Sequence, residues 1–220
     1  MPPRNEEFTE SRLIICEGPD DECFFRALIG DRNIKGLQVL RHAEGNTKFR
    51  EKLIEIEIQV TLHQPKAILI VSDHDDAQDK SFSDVIKQIK KTNLYGVPVT
   101  RKVPAKKANR PDITVLMVPE NGNGSIETII SDVLVNAPAY AHLSACLDAY
   151  KNCAGITDAN GWGSSKQAKM MLRSLLAVID KKSPECKVAD MWQSDKGFQP
   201  LLSNAGFDTI ATFLQEFAIT

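Results

Sequence analysis

Apolar positions along the chain follow two rhythms. Leu13-Ile14-Ile15-Cys16, Ala67-Ile68-Leu69-Ile70-Val71 and Ile113-Thr114-Val115-Leu116-Met117-Val118 are short, nearly unbroken apolar runs. Such runs predict strands of a parallel sheet covered on both faces. Between them apolar residues recur three or four apart, as on amphipathic helices. The first strand is expected over residues 12–16 and the first helix over 20–29, with Phe24, Phe25, Leu28 and Ile29 on its apolar side and Gly30 ending it. Asp20 or Asp21 is the expected cap of that helix. A short second strand fits residues 35–40.

Asn46 then caps a segment bearing Phe49, Leu53, Ile56, Ile58, Val60 and Leu62, closed by Pro65. Its Ile-Glu-Ile-Glu-Ile stretch alternates like a strand, yet its place between two parallel strands predicts a helix. Ser81, with Asp84 three positions on, predicts the start of the next helix, whose apolar face is Val85, Ile86 and Ile89 and whose end is near Asn93. Residues 95–100 are expected as a strand. The turn Pro119-Glu120-Asn121-Gly122-Asn123-Gly124 leads to a helix over residues 125–135 with Glu127 in its first turn.

Alternation of strands and helices to about residue 135 predicts right-handed βαβ units. Beyond it only helices are expected, over residues 139–151, 166–181 and 207–217, with a glycine-rich turn at 155–165 and a polar stretch at 190–197 carrying Trp192. The expected organisation is an α/β core, residues 11–135, with a mostly parallel sheet flanked by helices. A C-terminal helical cap, residues 136–220, packs on it.

Composition adds bounds. Of 220 residues, 42% are hydrophobic and 25% charged, which suits a globular chain with a sizeable core. No apolar run approaches a membrane span, and the polar first residues lack a signal-peptide pattern, so no membrane partner and a cytoplasmic setting are expected. The five cysteines contain no CxxC pair and read as buried free thiols. Residues 1–10 read as a frayed tail. The net charge of −2 is unlike a general nucleic-acid binder, although residues 101–110 hold five cations in ten positions. That loop reads first as a solvated charge run.

The chemistry lies in the acids. Glu17 ends the first strand and is followed by Asp20 and Asp21; Asp73, His74, Asp75 and Asp76 end a later strand; Glu127 follows Ser125. Each group follows a strand and precedes a helix, so all lie at the carboxyl end of the sheet, where open α/β folds bind ligands. Converging carboxylates repel one another, and a hard cation such as magnesium removes that penalty with oxygen ligands. In extended backbone Asp73 and Asp75 face the same way and Asp76 turns aside. Singly, Asp20, Asp21, Ser125 and Glu127 also suit helix starts, and His74 reads as an exposed loop residue.

Glu17-Gly18-Pro19-Asp20-Asp21 after one apolar strand and Asp73-His74-Asp75 after another resemble the two signatures of the TOPRIM domain. Gly124-Ser125-Ile126-Glu127 is similar to the glutamate-bearing segment of its OLD-nuclease branch. The resemblance covers about residues 11–135 and points to stand-alone TOPRIM proteins near the OLD group; no P-loop and no primase zinc motif accompany it. It implies a TOPRIM-like fold and magnesium- or manganese-dependent phosphodiester hydrolysis of DNA or RNA by metal-activated water. Carried over, Glu17, Asp73 and Asp75 are the catalytic residues, and Glu17, Asp21, Asp73, Asp75 and Glu127 hold one or two ions. Lys166 and Lys169 of the cap, or the 101–110 loop, are candidates for phosphate contact. The helical tail allows a homodimer or a separate partner protein. Two other readings remain open: a non-catalytic metal- or nucleic-acid-binding regulatory module on the same fold, and a phosphatase with a nucleophilic aspartate in Asp73-His74-Asp75, which leaves the Glu17 turn unexplained.

Overall fold

A computed structural model describes residues 6–59, 65–180 and 185–220. Strands β1 (Arg12–Cys16), β2 (Leu37–Val39), β3 (Ala67–Asp73) and β4 (Asp112–Val118) form one parallel sheet in the order β2-β1-β3-β4. Helices α1 (Pro19–Asp31), α2 (Phe49–Gln59), α3 (Gln78–Thr92) and α4 (Ile126–Asn136) follow the four strands in turn. Three more helices make the tail: α5 (Leu143–Cys153), α6 (Ser164–Ile179) and α7 (Asp208–Ile219). The α/β expectation holds, with a sheet that is parallel throughout.

Strand side chains alternate between two apolar layers. Leu13, Ile15, Ile68, Ile70 and Val115 pack with Phe49, Leu53 and Ile56 of α2 and Val85 and Ile89 of α3. Ile14, Cys16, Leu69, Val71 and Leu116 pack with Phe24, Phe25 and Leu28 of α1, and the same cluster takes in Leu134 of α4, Leu172 and Leu176 of α6 and Leu214 of α7. The tail therefore shares a core with the sheet. Arg32, just past α1, ties the two together: its guanidinium donates to the carbonyls of Leu202 (3.0 Å) and Asn204 (3.2 Å) and to Asp208 Oδ1 (2.8 Å). Arg32→Ala is expected to cost about 2 kcal/mol, the scale of charged hydrogen bonds. It should lower the urea midpoint with the slope unchanged.

Several local expectations are corrected. Residues 95–100 form no strand. Tyr95 is buried with its hydroxyl donating to the Leu53 carbonyl at 3.1 Å, and Gly96 lies so close to Ala105 that a Cβ there would sit 2.7 Å from backbone. The chain then returns along β4, with Lys102 N–H donating to Val115 O (2.8 Å) and Ala105 bridging Ile113. That covers the sheet's open edge. Four of its five cations are engaged locally: Arg101 with Asp79, Lys102 with Glu120, Arg110 with Glu57, and Lys107 with the Asn93 carbonyl. α3 begins three residues before Ser81, whose hydroxyl instead donates to the His74 carbonyl (2.7 Å). Residues 6–10 are not frayed: Phe8 is buried, and Thr9 N–H donates to the Gln38 side chain (2.8 Å). Cys16 and Cys186 are buried, but Cys146 and Cys153 are exposed on α5. Val60 and Leu62 lie outside the described residues, as do residues 1–5 of the expected tail and Lys181; Asp180 is described and lies just past the end of α6. Among the described residues no helix is long and apolar enough to cross a membrane.

Candidate functional site

The register of β1 against β3, Cys16 opposite Val71, delivers Glu17 beside Ser72 and Asp73. Ser72 Oγ donates to Glu17 Oε2 at 2.8 Å, and the Asp73 N–H donates to the same oxygen at 3.3 Å. Asp73, paired with Val118 of β4, is buried at the sheet's carboxyl end. Its Oδ1 accepts the N–H of Ile126, the first residue of α4, at 3.2 Å. A carboxylate at a helix N-terminus is favoured by the unpaired N–H groups there. Glu127 follows in that first turn and is buried.

From the other side, Pro19 starts α1 after Gly18, and Asp21 turns back to accept the Gly18 N–H on Oδ2 at 3.0 Å. The cap position itself is Gly18, not Asp20 or Asp21 as expected, and Asp21 contributes from the third position of the helix. Asp20 instead accepts the N–H of Ala189 in the tail at 2.9 Å.

Lys169 of α6 completes the group. Its Nζ lies 3.8 Å from Asp73 Oδ2 and 4.0 Å from Glu127 Oε1. Four predicted ligands, Glu17, Asp21, Asp73 and Glu127, thus meet at one end of the sheet. Asp75 is at the rim, half-buried and left-handed at φ 50°, with its backbone paired to Gly124 in both directions (2.8 and 2.7 Å). It is close enough to Glu17 for its charge to disfavour a second anion there. Asp76 points to the tail, its Oδ1 accepting the Ser165 N–H at 3.3 Å.

Burial and crowding set the electrostatics. Asp21 is pushed up to about 8, first by desolvation and then by Glu127 and Glu17. Desolvation, then Asp21, Glu17 and Glu127, hold Asp73 well above the carboxylate range. Glu17 is also raised, mainly by burial, with the Ser72 hydroxyl partly opposing. Burial alone would lower Lys169, but Glu127, Asp73 and Asp75 outweigh it and hold its ammonium above the usual lysine range. Carboxyl groups crowded together in a buried site keep their protons unless positive charge is brought to them.

Among the described residues no three His, Cys, Asp or Glu side chains form a ready-made ligand group. Glu17, Asp21 and Asp73 are each turned to backbone N–H donors, and Lys169 lies against Asp73 and Glu127. Among the described residues one buried carboxylate oxygen at the site, Glu127 Oε2, nevertheless has no hydrogen-bond partner. A buried carboxylate oxygen left unmatched is costly. With hard oxygen donors around it, this set fits a divalent cation such as magnesium.

His74 corrects another expectation. It is fully buried, not an exposed loop residue, and neither ring nitrogen meets a partner at hydrogen-bond geometry. Burial, followed by Arg101, lowers its pKa and favours the neutral ring, against the opposing influence of the Pro119 and Gly122 backbone.

Ser72 was not recognisable as a Glu17 partner before the strand register was known. Lys169 left a signal. It is on the stripe of α6 that carries buried Ser165, Leu172 and Leu176, so a cation interrupts an apolar helix face.

A family profile described as a protein of unknown function, DUF3226, matches residues 11–216. The chain belongs to the DUF3226 family. The match runs through both the sheet and the tail helices, so the DUF3226 region holds the strand-end acids and Lys169 together. No curated protein and no solved structure matches the chain.

Proposed function

We propose that this chain is a magnesium- or manganese-dependent nuclease, or a related phosphoryl-transfer enzyme, acting on DNA or RNA. The observation that carries the reading is the meeting of Glu17, Asp21, Asp73 and Glu127, from three separate strand-helix junctions, around one lysine. The resemblance of those junctions to TOPRIM signatures supports it. Glu17, Asp73, Asp75 and Glu127 would hold one or two cations, with Asp21 in support. Bound there, such ions supply positive charge for the attacking and leaving oxygens of an in-line displacement.

The chain's own groups do the rest. Glu17, half-buried and held by Ser72, has the raised affinity for protons that suits a general acid-base group. The Lys169 ammonium faces the acids and would meet a phosphate oxygen entering the pocket. Lys166, exposed one turn away, adds charge for the strand outside it. The setting we infer is cytoplasmic.

One observation favours a second reading, a regulatory module that binds without turnover. The Lys169 ammonium already neutralises part of the cluster. Thermal stabilisation by manganese with no cleavage of any nucleic acid would support that module.

The test is direct. EDTA-stripped protein is incubated with plasmid DNA and with structured RNA, with and without magnesium or manganese. Cleavage is expected only with the ion, and Asp73→Ala is expected to slow it by about 100-fold or more, the upper range for altering a metal's surroundings. Cleavage at the wild-type rate in Asp73→Ala protein would remove the site.

A further inference from the structure

We infer that Asp76 is a positioning residue, the latch that docks the start of α6 and thereby sets the Lys169 ammonium among Asp73 and Glu127. The inference rests on the nuclease reading for its importance, but its geometry is independent of that reading.

Helix α6 begins after Gly163, which has extended backbone (φ −68°, ψ 163°) and no side chain with which to cap the helix. A helix start normally takes an acceptor from its own cap residue. Here the acceptor comes from another element. Asp76 Oδ1 accepts the N–H of Ser165, the second residue of α6, at 3.3 Å. The carboxylate lies directly over Gly163, where any added Cβ would overlap it. A Cβ added at Gly163 would therefore have to displace the Asp76 carboxylate, although the glycine's own backbone angles would accept a side chain.

Asp76 is itself held. Its carbonyl accepts from Asn123 Nδ2 at 2.9 Å, and its neighbour Asp75 is pinned to Gly124 through two backbone hydrogen bonds. The latch therefore joins the β3 end, the β4–α4 turn and α6. Ser165 and Lys169 are four residues apart and share a helix face. Fixing the Ser165 N–H fixes the height and rotation at which Lys169 meets Asp73, three residues before Asp76 in the chain. Asp73, Asp75 and Asp76 then divide the work. The first two face the pocket or its rim, and the third brings in the cation from the tail.

The test uses no metal and no nucleic acid, so failure of the nuclease assay leaves it standing and the reverse also holds. Folded full-length protein in EDTA is acetylated briefly with an amine-reactive reagent. Mass spectrometry then gives the labelling rate of Lys169 relative to exposed Lys166 on the same helix. In wild type Lys169 is expected to label several-fold more slowly than Lys166. In Asp76→Ala and in Gly163→Ala, which wedges the latch from the other side, it should approach the Lys166 rate. Asp76→Asn keeps an oxygen acceptor for Ser165 and should restore the slow rate, a rescue that general loosening of the tail would not give. If Asp76→Ala fails to fold, Gly163→Ala and Asp76→Asn carry the comparison. Slow Lys169 labelling in folded Asp76→Ala or Gly163→Ala protein, or fast labelling in Asp76→Asn, would overturn the assignment.

Discussion

Phe24→Ala is expected to remove about 3–5 kcal/mol of stability, the range for truncating a buried aromatic residue. Phe24 is fully buried on α1, and its ring meets Phe25 at 5.3 Å, Trp192 at 5.6 Å and Phe207 at 5.1 Å between centroids. Two of those partners belong to the tail, so the substitution opens a cavity at the seam between the sheet layer and the tail helices. Trp192 and Phe207 cannot collapse into it freely, because Phe207 immediately precedes α7 and Trp192 follows a turn tied to Asp20 through Ala189. Urea unfolding followed by both tryptophan fluorescence and circular dichroism checks the prediction. A single shared transition at a much lower midpoint is expected. Loss of the fluorescence transition alone, with the sheet intact, would mean that the tail unfolds independently.

Asp21→Asn should change how stability depends on pH. The folded chain holds the Asp21 carboxyl at about 8, against about 3.9 for an unperturbed aspartate. Below the unfolded value both states carry the proton, and the contribution is at its most favourable. Between the two values the unfolded chain releases a proton that the folded chain retains, so stability falls as pH rises, and the loss is complete above about 8. Asp73 and Glu17 are displaced in the same direction and add to the slope. Metal-free wild type should therefore be a few kcal/mol less stable at pH 8.5 than at pH 5. Asparagine does not titrate, and its oxygen still accepts the Gly18 N–H, so Asp21→Asn should flatten much of that decline. Urea midpoints in EDTA at the two pH values measure it. Equal declines in the two proteins would show that Asp21 is not among the acids that are held protonated.

These effects trace how far residue patterns carried the structure. The apolar runs at 13–16, 67–71 and 113–118 located three strands, and a fully apolar strand in a chain of alternating elements leaves little choice but a sheet covered on both faces. In α2, local alternation misleads. Ile54, Ile56 and Ile58 alternate with acids, yet Phe49, Leu53 and Ile56 are buried at helical spacing while Ile58 is exposed. Residues 95–100 had strand-like composition, but the close approach of Gly96 to Ala105 is a tertiary contact that no local pattern encodes.

At the site, Glu17, Asp21, Asp73 and Glu127 were legible because strand ends and helix starts in parallel folds share one edge of the sheet. Asp75 was expected to face the same way as Asp73 from extended backbone; its backbone is left-handed instead, and it reaches the group of acids from the rim. Burial of His74 depends on the turn after β4 covering it, and Asp76's contact with α6 joins residues nearly ninety positions apart. Contacts between segments distant in the chain, not local propensity, decide both.

A crystal of the full chain soaked in manganese would test the central claim, that side chains from separate strand ends share one cation-binding pocket. The expected result is anomalous density among Glu17, Asp73 and Glu127, with Lys169 moved off at least one of its two carboxylates. Manganese bound only elsewhere on the surface, with Lys169 still against Asp73 and Glu127, would contradict it.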